Sequence, residues 1–169
     1  PLDIELVEHI GSDLLSKLCQ IFFNDDESAL NKLSNFRSKI SPRIILIKDS
    51  DNGRILGFSM FHWVRSGMFF SVFENQEVSE YIRQDAIGRV LLIDGIFVDH
   101  TSKYKNLNQI LLTETLALCL AEDYTYAVFK NCISSYSSKD LYETLELQGF
   151  QLVPSSNEGS PIYKVNMTN

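Results

Sequence analysis

Apolar positions along this chain change their period several times, and each change marks an element boundary. Leu14, Leu15, Leu18 and Phe22 recur at helical spacing, with Ser12 as the expected N-cap. Asn24-Asp25-Asp26 interrupts them. Leu30, Leu33, Phe36 and Ile40 trace a second stripe, a helix expected to end at Pro42, because the residue before a proline is pushed out of the helical region. Arg43–Lys48 and Arg54–Val64 are rich in Ile, Leu and Phe, and Asp51-Asn52-Gly53 between them signals a hairpin. Ser66-Gly67 breaks the pattern. Met68–Phe73 reads as another strand, or as the previous one continuing past a bulge, and Glu77–Ile87 reads as weakly helical, so residues 67–88 form an excursion.

Val90–Val98 is almost continuously apolar, as expected of a strand covered on both faces at the centre of a sheet. Leu107–Leu120 is helical and Tyr124–Phe129 is a further strand. Strand, helix and strand in that order make a crossover, which places the two strands parallel. Lys139–Gln148 is another helix, stopped by Gly149 in a C-cap position. Phe150–Val153 and Ile162–Val165 are short strands around a Pro/Ser/Gly loop. No repeat and no low-complexity segment interrupts the pattern, and no apolar run is long enough to span a bilayer.

Composition narrows this picture. At 169 residues and 44% hydrophobic, the chain is expected to build one core and one domain over 1–169. It starts at Pro1 rather than Met, as expected of a processed chain or one excised from a longer protein. Fifteen basic against twenty-two acidic residues give a net charge of −7, which argues against general nucleic-acid binding. The charge suits an amine-bearing partner as well as plain solubility. Cys19, Cys119 and Cys132 have no metal or redox spacing. Cys19 and Cys119 fall in helical apolar patterns as small core residues, which fits a reducing cytoplasm. His9 and His62 are isolated, and no His/Cys/carboxylate cluster has metal spacing, so no metal is expected. Nothing in the sequence fixes an oligomeric state.

The most informative segment follows Val98. The strand breaks into Asp99-His100-Thr101-Ser102-Lys103-Tyr104-Lys105-Asn106, which runs straight into the helix beginning Leu107-Asn108-Gln109. Orphan amides at a helix N-terminus, with the helix dipole behind them, favour an anion. Two lysines and two asparagines suit a diphosphate. His100 opens this loop and is either a phosphate contact or a solvated loop residue.

These residues resemble the GNAT superfamily of acetyl-CoA-dependent N-acetyltransferases. Val98 through Leu112 are similar to that family's strand-end valine, Arg/Gln-x-x-Gly-x-Gly/Ala loop and Leu-Leu helix. Lys103 takes the Arg/Gln position, and Asn106 and Asn108 take the two glycine positions, without a gap. Asn is the best substitute for Gly because it visits the left-handed region more readily than other residues with a Cβ. Tyr104 is bulky and is expected to point outward. Leu141-Tyr142-Glu143 with Leu145 and Gly149-Phe150 resembles the family's Leu-Tyr-Glu-x-Leu-Gly-Phe, stretched by nearly one helical turn.

The resemblance implies a mixed, mostly antiparallel sheet with a parallel crossover at its centre, flanked by helices. It implies acetyl-CoA as cosubstrate and an amine of a small molecule or protein as acceptor. Coenzyme contacts would come from Ile96, Phe97 and Val98 on the strand and Lys103, Tyr104, Lys105, Asn106, Leu107, Asn108 and Gln109 in the loop and helix start. Asn131 resembles a position that binds the pantetheine arm, although a strand-end Asn is also a routine turn residue.

A position used for a glutamate base in some members falls on Leu92. Asp94, expected on one face with Leu92, Ile96 and Val98 by period-two alternation, is the nearest carboxylate. It serves either as a base, with its pKa raised by burial, or as a partner for loop amides, a lysine or an arginine. Glu74, Glu77 and Glu80 in the excursion are alternative carboxylates. Tyr142 is the implied proton donor to the leaving thiolate, or an aromatic packing residue on its helix. Trp63, Phe69, Phe70 and Phe73 are read as core or as pocket lining. Cys132 has no activating base beside it and is not expected to be a nucleophile. A module that has lost catalysis, and that senses an acyl-CoA or binds a protein partner, is the alternative.

Overall fold

The computed structural model describes residues 1–156 and 160–168. Its strands, in chain order, are β1 (Leu2–Val7), β2 (Arg43–Asp49), β3 (Ile55–Val64), β4 (Arg89–Val98), β5 (Tyr124–Phe129), β6 (Gln151–Leu152) and β7 (Tyr163–Asn166). The helices are α1 (Ser12–Phe23), α2 (Glu27–Phe36), α3 (Phe69–Phe73), α4 (Gln76–Asp85), α5 (Leu107–Ala121) and α6 (Lys139–Leu147). The strands form one sheet in the order β1-β2-β3-β4-β5-β7-β6. Only β4 and β5 run parallel, joined by the α5 crossover, and every other pairing is antiparallel. This is the mixed sheet with a central parallel step that the sequence implies.

Each face of the sheet buries its own layer of side chains. Ile45, Phe61, Leu91 and Ile93 meet Leu111, Leu112, Leu141 and Leu145 of α5 and α6. On the opposite face Ile44, Leu46, Phe58 and Met60 pack against Leu15, Leu18 and Phe23 of α1 and Leu33 and Phe36 of α2. Farther along that face Val64, Val90, Tyr126 and Val128 receive Phe69 and Phe73 of α3 and Val78 and Ile82 of α4. A Ser59–Thr115 hydroxyl pair at 2.8 Å pins α5 to β3 inside the first layer.

Several boundaries correct the sequence reading. β1 lies ahead of the first helix, where no strand is expected. It is a sheet edge paired only to β2, and its outward Ile4 and Leu6 stay 41% and 40% exposed, so the segment gives little core signal. Gly11, not Ser12, is the N-cap of α1, with no side-chain hydrogen bond. α2 begins behind Asp26, whose carboxylate accepts from the Ser28 and Ala29 N–H groups, and it stops at Phe36, well before Pro42. Ile40 is exposed, and its carbonyl accepts from the Trp63 N–H at 3.0 Å.

Met68–Phe73 is helical rather than extended. Phe69 and Phe73, four apart, bury their rings together at 5.9 Å while Phe70 stays 63% exposed, which is helical spacing. Gly149 follows α6 at φ +92°, the left-handed stop expected there. Of the Pro/Ser/Gly loop before β7, residues 157–159 lie outside the described residues. Among the described residues no helix is long and apolar enough to cross a membrane.

Candidate active site

A bulge in β4 builds the first part of the site. Phe61 pairs with Ile93 and Met60 with Gly95, which leaves Asp94 as the extra residue of β4 with no partner on β3. A bulge interrupts the pleat. The expected face shared by Leu92, Asp94, Ile96 and Val98 is therefore split. Leu92 and Asp94 point into the α2–α3 side, whereas Ile96 and Val98 join the layer under α5. Gly95 leaves space beside the bulge for the Phe97 ring, which a Cβ at that position would meet.

The bulge delivers Asp94 to His62. Asp94 Oδ2 lies 2.6 Å from His62 Nδ1, with the two residues 6% and 3% exposed. Burial pushes the Asp94 carboxyl above its ordinary range, against the pull of the His62 hydrogen bond. Neither residue is isolated, as His62 is in the sequence. His62 shares the β3 face of Phe58, Met60 and Val64, and alternation along the hairpin is the signal that points it toward Leu92 and Asp94. Both line a cavity of about 440 Å³ with Lys32, Asn35, Lys39, Ser71, Glu74, Lys130 and Asn131. Glu74 thus reaches the site, while Glu77 and Glu80 line a separate surface cleft on α4.

Beyond this pair β4 and β5 separate. Their parallel ladder ends at Ile93–Phe129, and β4 continues to Val98 along β3 alone. The Asp94 carbonyl accepts from Cys132 N–H at 2.8 Å on the β5 side, and Asp99 N–H donates to the Leu56 carbonyl at 2.8 Å on the β3 side. Main-chain groups alternate sides along a strand. The N–H groups of Ile96 and Val98 therefore turn toward the side where β5 has ended. Ile96, Phe97 and Val98 line a narrow opening of about 100 Å³ there, with Phe22, Phe23, Tyr136 and Ser138 around it.

The opening leads to the loop. A cleft of about 380 Å³ is lined by Val98, His100, Tyr104, Lys105, Asn106, Leu107, Asn108 and Gln109. Asn106 is the N-cap of α5 at φ 62°, ψ 29°, a left-handed conformation that Asn adopts more readily than other residues with a Cβ. Asn108 does not share it: it sits in the first helical turn, buried, and lines both the cleft and the narrow opening. The first-turn amides of α5 thus open onto the cleft, and this donor set suits an anion.

Two loop residues stand elsewhere than expected. Tyr104 is half-buried against the α5 layer rather than outward, and the Lys103 ammonium lies 5.3 Å over its ring instead of lining the cleft. Asp140, Glu143 and Thr144 of α6 form the far wall, so two carboxylates share the cleft with the start of α5.

Asn131 lies on the wall of the cavity that holds His62 and Asp94. Its Oδ1 accepts from Ile133 N–H at 2.9 Å, and its Nδ2 is buried with no hydrogen-bond partner among the described residues. Tyr142 packs between Phe129 and Tyr163, with ring centroids at 6.1 and 5.6 Å. Burial pushes its phenol up, opposed by the Ser137 hydroxyl beside it, next to the Ser138 that lines the narrow opening. The Tyr136 hydroxyl lies nearer that opening but already donates to the Phe23 carbonyl and the Asp26 carboxylate. The Cys132 thiol is pushed up to about 12 by burial and stays protonated near neutrality. Trp63 sits between the Arg65 and Arg89 guanidinium groups at 5.0 and 4.9 Å, away from this site.

No family model matches the chain, and no curated protein does. Solved structures do. An agmatine N-acetyltransferase mutant in its apo form superposes with a TM-score of 0.72 at 12% identity, covering 98% of this chain and 100% of that one. A Drosophila melanogaster polyamine N-acetyltransferase gives 0.70 at 11% identity, over 98% and 100% of the two chains. Arabidopsis thaliana NAA60 in complex with acetyl-CoA gives 0.66 at 11% identity over the full length of both. With its parted β4–β5 pair and its loop leading into α5, this chain has the fold of the GNAT N-acetyltransferases.

Proposed function

We propose that the protein transfers an acetyl group from acetyl-CoA to an amine by direct attack on the thioester. One observation carries this reading. The main chain of Ile96–Val98 is turned to an open strand edge, between a buried Asp94–His62 pair on one side and the amides at the start of α5 on the other.

Acetyl-CoA supplies an activated acyl group. Lys105, Asn106, Leu107, Asn108 and Gln109 hold its phosphates, while Ile96, Phe97 and Val98 add main-chain hydrogen bonds to the arm. The acceptor enters the cavity beside His62. His62, with Asp94 fixing its ring, takes the proton from the attacking nitrogen. The Ile96 or Val98 N–H donates to the oxygen that becomes negative, a contribution of roughly 3 kcal/mol for one preorganised donor. As the carbon–sulfur bond breaks, Tyr142 gives a proton to the sulfur, and the products are the N-acetyl amine and free coenzyme A. Neighbours acting on agmatine and polyamines support an amine acceptor.

The test is release of coenzyme A and formation of an N-acetyl product over a panel of amines. Wild type should turn over at least one of them, and His62→Gln should do so about 10²- to 10⁴-fold more slowly. A second reading is a GNAT-fold module that holds an acyl-CoA without catalysis. It is favoured by Tyr142, which is packed between Phe129 and Tyr163 and is not among the residues lining the narrow opening. Tight acetyl-CoA binding with no product from any amine would decide for it.

A further inference from the structure

The cavity beside His62 has a charge opposite to that of the chain as a whole. Lys32, Lys39 and Lys130 line it on a protein of net charge −7. Among the described residues none of the three is in an ion pair. Lys130 is held in place by a 2.8 Å hydrogen bond from its ammonium to the Val72 carbonyl. The carboxylates on the same wall are Glu74 and Asp94, and Asp94 is already engaged with His62.

A second observation is independent of charge. Asn131, 8% exposed, lines the same cavity and has a buried amide nitrogen with no hydrogen-bond acceptor among the described residues. A buried donor left unpaired is costly, and a ligand oxygen removes that cost. Lys39 and Lys130 also lie close enough to Asp94 for their charge to act on its carboxyl. An anion bound by these lysines is therefore within a small molecule's reach of the His62–Asp94 pair.

Resting on the acetyl-transfer reading above, we propose that the acceptor is an amine bearing its own carboxylate, an α-amino acid, rather than a polyamine. The carboxylate lies toward Lys32, Lys39 and Lys130 with one oxygen on the Asn131 amide, and the amino group lies toward His62. A polyamine would bring further positive charge against three lysines. The aliphatic stretches of Met68 and Val72 on the same wall leave room for an apolar side chain.

Matched pairs test this: phenylalanine against phenethylamine, and arginine against agmatine. Binding is measured by calorimetry and product by mass spectrometry, for the full chain with acetyl-CoA present. The carboxylated member of each pair should bind about tenfold more tightly or better. A Lys32→Gln/Lys39→Gln variant should lose that preference while keeping its affinity for acetyl-CoA. Both lysines are exposed, so the variant keeps its fold. Equal or reversed preference, binding of neither member, or an undiminished preference in the variant would overturn the assignment. Preference in binding without any product would sink the transfer reading and leave the assignment standing. Faster acetylation of the decarboxylated members would do the reverse.

Discussion

His62 Nδ1 and Asp94 Oδ2 stand 2.6 Å apart beneath the surface of the sheet, brought together by a bulge that leaves Asp94 without a partner on β3. A buried carboxylate against an imidazole fixes which ring nitrogen carries the proton and holds the other toward the cavity. Asp94→Asn should keep the fold and the affinity for acetyl-CoA but lower turnover by about 10²- to 10⁴-fold, the usual worth of a positioned base. His62→Gln should cost as much, and the double variant little more, because the two act as one unit. Turnover should rise with pH in the wild type as the Asp94 carboxyl, held above its ordinary range by burial, ionises. A flat wild-type profile would contradict the assignment.

A second pair ties stability to pH. Asp85 Oδ2 accepts from Lys164 Nζ at 2.7 Å and from the Tyr126 hydroxyl at 2.7 Å. The Lys164 hydrogen bond holds the Asp85 carboxyl below the usual carboxylate range, with the Tyr126 hydroxyl helping. A depressed carboxylate binds its proton more readily when unfolded, so its contribution is present above the ordinary carboxylate pKa and is lost as pH falls through the folded one. Asp85→Asn should therefore unfold more easily than wild type at pH 7, with the two curves converging toward pH 2 to 3 in urea titrations, near and below the reference carboxylate pKa of about 3.9. A constant difference across that range would contradict the account.

Asp140 and Glu143 share the cleft with the start of α5. Each opposes an incoming phosphate by a few tenths of a kcal/mol to about 1 kcal/mol, the range of exposed charge effects near a helix end. Asp140→Asn with Glu143→Gln should tighten acetyl-CoA binding by about three- to tenfold at low salt, and the gain should shrink at high salt. Unchanged affinity in a calorimetric titration would place the phosphates elsewhere.

How far the sequence showed all this depends on the period of each segment. The long apolar runs of β3, β4 and α5 and the Asn-Gly turn were legible because burial and local geometry agree there. β1 was not: its side chains are largely exposed on both faces, so its alternation carried little weight. Phe69–Phe73 looked extended because a short apolar run has no clear period until its neighbours decide which residues are buried. Asp94 was singled out, but its partner was not. Alternation from Leu92 already put Asp94 on the face that His62 shares, whereas the extra residue at the bulge, which carries Ile96 and Val98 to the other face, left no sequence signal. The left-handed Asn106 was foreseeable from residue type, whereas the placement of Lys103 over Tyr104 depends on tertiary packing.

The measurement closest to the central claim is thermal unfolding with and without acetyl-CoA. Ligand at about a hundred times its Kd stabilises a folded protein by roughly 2.7 kcal/mol, which for a domain of this size raises Tm by about 5 to 10 °C. A rise that grows with the logarithm of acetyl-CoA concentration above Kd, and that vanishes with pantetheine alone, is the predicted result if the α5 amides hold phosphate as proposed. An unchanged Tm up to millimolar acetyl-CoA would contradict the account.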